Sequence, residues 1–169
     1  MAERPLNPPV LLSASHEIAG FDCGSLPLNT FLTKFALQAQ GSGGARTYVL
    51  TRGNEVIGFY SLAPASILPE QTPACVHKGQ GHYPIPAILM ARFAVALDVQ
   101  GKGFGKTMLR DAMRRAHDGA EVIGGRAFLV HAKDDKARNF YLKFGMEPSP
   151  TNPLHLFLLF KDIRISMRG

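Results

Sequence analysis

The chain has 169 residues, 46% hydrophobic and 19% charged, a balance that excludes wholesale disorder and fits one domain expected over residues 1–169. Nineteen basic against 13 acidic side chains leave a formal net charge of +6, which points to an anionic partner or to solubility alone. Cys23 and Cys75 are too few for a disulfide framework or a cysteine-based zinc site, and Met1-Ala2-Glu3-Arg4-Pro5 lacks the apolar stretch of a signal peptide.

In chain order, Leu28, Phe31, Leu32, Phe35 and Ala36 recur at helical spacing, with Ser25 placed to cap that helix and Gly41-Ser42-Gly43-Gly44 to end it. Strand-like runs follow at Arg46 to Thr51 and Val56 to Leu62, with Arg52-Gly53-Asn54-Glu55 between them as a hairpin turn. Pro64 to Pro86 holds five prolines and reads as a long loop, of the kind that is usually functional or mobile. Ile85 to Val95 reads as a mostly buried strand. The apolar region Ala87 to Leu97 is short and interrupted by Arg92, so no membrane span is expected and a cytoplasmic, reduced protein is the consistent reading. Gln100 to Gly105 is a glycine-rich turn, and Met108, Leu109, Ala112, Met113 and Ala116 form the apolar face of a helix. Ala127 to Ala132 is another buried strand, His131 included. Lys133-Asp134-Asp135 leads into a helix through Phe144 that Gly145 stops. Leu154 to Phe160 is the last strand. The order helix, hairpin, long strand, helix, strand, helix, strand implies a mixed α/β (α+β) sheet flanked by helices. His77, His82 and His131 lack metal-ligand spacing with cysteine or carboxylates, so no metal is expected.

The most informative segment is Gln100-Gly101-Lys102-Gly103-Phe104-Gly105-Lys106-Thr107. Three glycines in five positions, after a strand and opening a helix, bring backbone N–H groups close to a bound anion, and the helix dipole favours its charge. A tight strand-to-helix turn is the plainer alternative, but Lys102 and Lys106 favour phosphate. A P-loop requires glycine where Gln100 stands, and a dinucleotide fingerprint requires G-x-G-x-x-G where the chain has G-x-G-x-G.

The pattern that fits is Q/R-x-x-G-x-G/A, with Gln100, Gly103 and Gly105 at its fixed positions, and it resembles the pyrophosphate signature of the GNAT N-acetyltransferases. Further segments extend the resemblance: Phe21-Asp22-Cys23-Gly24, Arg46-Thr47-Tyr48-Val49, Arg92-Phe93-Ala94-Val95 and Ala137 to Gly145 stand in order, followed by Pro148-Ser149-Pro150 and Leu154 to Ile163. From about Phe21 to Ile163 the chain is similar to the acetyltransferase toxins of bacterial type II toxin–antitoxin pairs. The resemblance implies transfer of acetyl from acetyl-CoA to the amino group of an aminoacyl-tRNA, which blocks translation. It also implies a ribbon-helix-helix antitoxin as partner and a homodimer. Two alternatives stay open: an acetyltransferase of small amines or protein N-termini, and a non-catalytic module that binds acetyl-CoA or nucleic acid.

By the same resemblance, the backbone of Phe93, Ala94 and Val95 meets the acetyl and pantetheine arm. Gln100, Gly101, Lys102, Gly103, Phe104, Gly105 and Lys106 hold the pyrophosphate, and Asn139 bonds the cofactor arm. Tyr141 takes the place of the general acid, since a phenol with a pKa near 10 stays protonated at neutral pH and can donate to a leaving thiolate. A core tyrosine is the bland alternative. No carboxylate stands out as a general base, because Glu55 falls in a turn and Asp98 lies near the glycine turn. An α-amine with a pKa of about 7.7–8.0 tolerates that absence better than a lysine amine near 10.4. Candidate tRNA contacts are Lys34, Arg46, Arg92, Lys133, Lys136, Arg138 and Lys143, foremost Arg46 and Arg92, while any single lysine also fits a solvated face. The chain has Ala96 and Lys102 where relatives often carry aspartate and arginine, and the Pro64–Pro86 loop has no secure match.

Overall fold

The computed structural model describes residues 6–163, so the Met1–Pro5 segment and its reading lie outside the described residues. The strands are β1 (Leu6–Leu11), β2 (Arg46–Arg52), β3 (Glu55–Ile67), β4 (Ile85–Val95), β5 (Ala127–His131), β6 (Glu147–Pro148) and β7 (His155–Leu159). The α-helices are α1 (Leu26–Thr30), α2 (Ala36–Gly41), α3 (Ala74–His77), α4 (Phe104–Ile123) and α5 (Asp135–Leu142). The sheet order is β1-β2-β3-β4-β5-β7-β6. Pairs β1–β2, β2–β3, β5–β7 and β6–β7 are antiparallel, whereas β4–β5 is parallel and is connected through α4. The sheet is therefore mixed, as expected.

The chain divides into two compact units, one of residues up to Ala63 with Ala91–Ala112, the other of Pro64–Met90 with the residues from Met113 on. In the first, Phe59 is fully buried, with Phe21 edge-on at 5.5 Å and Phe31 stacked at 6.2 Å. The β2–β3 hairpin turns through Gly53 (φ 64°) and Asn54, and its register shifts between Leu50 and Thr51, so that Ile57 is skipped by β2. The Ile57 carbonyl instead accepts the Ala96 N–H at 2.8 Å, tying the end of β4 to β3. In the second unit, Val76, Ile85, Ala87, Ala127, Leu129, Phe157 and Leu159 form one apolar cluster, in which each of the five larger side chains stabilises the fold by about 1.5–3 kcal/mol when fully buried.

The structure departs from the sequence expectations in several places. β1 was not foreseen; its Asn7-Pro8-Pro9 sequence reads against a strand, yet β1 is the edge strand and its register shifts between Asn7 and Val10, where proline's missing N–H is tolerated. The expected single helix is α1 and α2 joined by a π-helical turn at Phe31–Phe35, and Ser25 makes no side-chain cap. β3 continues through Pro64 to Ile67, so the proline-rich segment is shorter than expected and itself contains α3. Arg126 holds α3 by donating from Nε to the Val76 carbonyl (3.0 Å) and from Nη2 to that of Cys75 (3.2 Å). His131 closes β5 exposed rather than buried, and α5 stops at Leu142, two residues early, with Gly145 at φ 83°.

Candidate active site

The parallel pairing of β4 with β5 covers Ala87–Met90 against Ala127–Val130, and β4 then continues through Phe93, Ala94 and Val95. A 3₁₀ turn at Leu97–Val99 follows, and the chain enters α4 at Phe104. Gly101 (φ 79°) and Gly103 (φ 87°) both adopt the left-handed conformation that favours glycine. A Cβ at either position would have nothing within 4 Å, so open space faces the backbone of the turn. Lys102 and Lys106 are exposed there, and α4, 20 residues long, directs its N-terminal N–H groups at the same turn. Four buried apolar residues, Met108, Leu109, Ala112 and Met113, anchor the helix behind it.

Gln100 faces inward in its hydrogen bonding. Its Nε2 donates to the Val95 carbonyl at 2.8 Å and to the Cys23 carbonyl at 3.2 Å, joining the turn to the end of β4 and to the Phe21–Gly24 segment. Asp98 and Glu55 both meet the Arg52 guanidinium, at 3.3 and 3.6 Å, and neither is buried.

Tyr141 stands on α5, whose N-terminus is capped by the Asp134 carboxylate accepting the Ala137 N–H at 2.8 Å. The Tyr141 side chain is buried, and burial pushes its phenol pKa upward, so the hydroxyl keeps its proton at neutral pH and beyond. Phe140 packs edge-on against it at 5.3 Å. Asn139 is exposed on the same helix, and Arg138 donates from Nε to the Pro153 carbonyl at 2.9 Å, so part of its guanidinium has a structural bond. Lys133, Lys136 and Lys143 are exposed.

Of the other basic candidates, Lys34 lies exposed on the π-helical turn and Arg46 exposed at the start of β2. The Arg92 guanidinium carbon lies 3.8 Å from the centroid of the Phe31 ring, a cation–π contact on that same turn. Lys34 and Arg92 are thus brought to one element, a relation that spacing could not reveal.

Residues 43–148 match the acetyltransferase (GNAT) domain model. This chain belongs to the GNAT acetyltransferase family. It is 43% identical over 156 residues, 92% of this chain and 93% of the relative, to a tRNA-acetylating toxin of Mycobacterium tuberculosis. Among solved structures it is similar to AtaT complexed with acetyl-methionyl-tRNAfMet, with a TM-score of 0.87 and 27% identity, covering 96% of this chain and 99% of that one. It is also similar to an AtaT tyrosine-to-phenylalanine variant bound to the C-terminus of the antitoxin AtaR and acetyl-CoA, with a TM-score of 0.81 and 27% identity over 98% and 99% of the two chains.

The enzyme is an acetyl-CoA-dependent N-acetyltransferase. Its residues fit that group: the left-handed glycines leave an open cradle, and the lysines and helix N-terminus supply positive potential to a pyrophosphate. Elsewhere in the acetyltransferase, His77 Nδ1 lies 3.1 Å from the Thr72 hydroxyl and His82 is exposed. The Cys75 thiol donates to Glu147 at 3.3 Å, and burial, with that carboxylate, pushes its pKa up. Among the described residues no group of three or more His, Cys, Asp or Glu side chains is arranged to hold a metal, and no helix is long and apolar enough to cross a membrane.

Proposed function

We propose that this acetyltransferase transfers acetyl from acetyl-CoA to the α-amino group of an aminoacyl-tRNA, and that the acetylated product blocks translation. The observation that carries the reading is likeness over 92% of the chain to a tRNA-acetylating toxin, supported by the similarity to AtaT with its acetylated tRNA. On this reading the chain acts as a single-domain cytoplasmic toxin and a homodimer. A ribbon-helix-helix antitoxin would neutralise it, in keeping with the antitoxin-bound AtaT relative.

When bound, acetyl-CoA supplies the acetyl thioester and a thiol leaving group. Gly101, Gly103, Phe104 and Gly105 would present backbone N–H groups to its pyrophosphate, with Lys102 and Lys106 adding charge. The backbone of Phe93, Ala94 and Val95 would hold the arm, and Asn139 would bond it from α5. The Tyr141 hydroxyl holds the proton that the departing sulfur needs, and burial keeps that proton in place until transfer. The attacking amine gives up its own proton to solvent water. This requires no protein base at neutral pH, where an amine with a pKa of about 7.7–8.0 is roughly one-tenth neutral. Lys34, Arg46, Arg92, Lys133, Lys136, Arg138 and Lys143 are the contacts proposed for the tRNA backbone.

The test is cell-free translation. Synthesis should stop when the chain and acetyl-CoA are both present, and proceed when acetyl-CoA is depleted. Arrest independent of acetyl-CoA would contradict the reading.

A further inference from the structure

The Phe21–Gly24 segment has no part in the chemistry above, yet its backbone and side chains are bonded both to α1 and to the Leu97–Gln100 stretch. The Asp22 Oδ1 accepts from the Gly24 N–H at 2.9 Å and from Asn29 Nδ2 at 3.0 Å, while Asn29 Oδ1 accepts from the Cys23 N–H at 2.9 Å. Asn29 belongs to α1, so the turn is fastened to that helix. Both outward carbonyls of the turn then point to the cofactor region: that of Asp22 accepts the Leu97 N–H at 2.9 Å, and that of Cys23 accepts Gln100 Nε2 at 3.2 Å. Gly24 has φ 87°, and a Cβ there would stand 3.2 Å from Leu97 Cδ2, so the two segments also meet by close contact. The Asp22 carboxyl sits below its usual pKa because the Gly24 N–H and then the Asn29 amide favour its charged form.

We propose that Phe21–Gly24 is a clasp that sets the geometry of the acetyl-CoA turn, with Asp22 as a positioning residue that never touches the cofactor. The clasp holds two carbonyls in fixed places, and those carbonyls hold the Leu97 backbone and the Gln100 side chain. Gln100 in turn fixes the entry to Gly101 and Gly103 relative to the end of β4. The same turn reaches α1, which leads directly into the π-helical turn bearing Lys34 and packing against Arg92. Geometry set at Asp22 is therefore shared between the cofactor turn and the candidate tRNA contacts.

The inference rests on the reading that acetyl-CoA binds at Gln100–Lys106, so the test measures acetyl-CoA binding by calorimetry, without tRNA. Asp22→Ala removes the acceptor, whereas Asp22→Asn keeps an oxygen in its place. The clasp predicts that Asp22→Ala weakens acetyl-CoA binding by about tenfold, about 1.4 kcal/mol, while Asp22→Asn stays within about twofold of the parent. In turnover, Asp22→Ala should raise KM for acetyl-CoA and leave kcat at saturation nearly unchanged, a split that general loosening of the fold would not produce. Gly24→Ala should copy Asp22→Ala by straining the same turn. If Gly103→Ala weakens binding and Asp22→Ala does not, the clasp is overturned and the cofactor turn stands. If neither weakens it, the cofactor turn fails and the clasp with it.

Discussion

On the proposed function, the glycine turn before α4 and the tyrosine of α5 would contribute to catalysis by opposite means. The turn would act through its main chain, in open space, with positive φ at Gly101 and Gly103 and the exposed Lys102 and Lys106 beside them. Tyr141 would act through one side-chain hydroxyl, buried on α5. Backbone recognition of a pyrophosphate needs room and unusual dihedrals but little particular side-chain chemistry. Proton donation to a leaving thiolate needs a single group whose pKa the surroundings hold high. The two regions should therefore respond differently to substitution.

The largest expected effect is at the tyrosine. Tyr141→Phe should lower kcat by about 100-fold or more, since that is the scale of a positioned general acid, while calorimetry shows acetyl-CoA affinity within about twofold. Near-normal turnover would remove Tyr141 from the chemistry. The turn should show the reverse pattern: Gly103→Ala forces a Cβ into φ 87° and fills the open cradle, raising KM for acetyl-CoA by about tenfold or more with a smaller change in kcat. A Lys102→Arg exchange keeps the backbone and the charge and should move either constant by less than about twofold.

Smaller effects lie outside both regions. Arg92→Ala removes the guanidinium from Phe31 and with it one proposed phosphate contact, so tRNA binding should weaken several-fold and its salt slope should fall by about one. Binding to tRNA that ignores salt would contradict that role. The smallest effect concerns His131 and His155, whose rings stack at 3.8 Å. Partial desolvation lowers both pKa values below the usual 6.5, although much of His131 remains in solvent, and for His131 the neighbouring His155 adds to it. Both rings therefore resist protonation in the folded chain while the unfolded chain takes up protons near pH 6.5, so stability is fully present above that pH and declines as pH falls below it. His155→Gln should flatten that decline in thermal unfolding followed from pH 7 to pH 5. An unchanged slope would show that the pair does not contribute.

Features whose cause is local were legible in the sequence. Gln100 to Gly105 announced itself because left-handed dihedrals call for glycine wherever they occur. The Met108, Leu109, Ala112, Met113 and Ala116 face follows from helical periodicity, and all five are buried. The role proposed for Tyr141 rests on the matched segment around it, since a buried tyrosine in an apolar run fits a core residue equally well. What stayed hidden depends on partners distant in sequence. Gln100 reaches Cys23 across 77 residues, and Arg126 holds α3 from 50 residues away, which is how a proline-rich stretch becomes helical. β1 was hidden because Pro8 and Pro9 are tolerated only at an edge, and edge status is a property of the whole sheet.

On the proposed function, the accepting group is the α-amine of an amino acid already joined to tRNA. The most direct measurement is to incubate the chain with isotopically labelled acetyl-CoA and total charged tRNA. The amino acids are then released from the tRNA and analysed for the label by mass spectrometry. The account predicts label on the α-nitrogen of one or a few amino acids, and none when the same tRNA is deacylated beforehand. Equal labelling of free amino acids or of protein lysines, with charged tRNA left unlabelled, would contradict it.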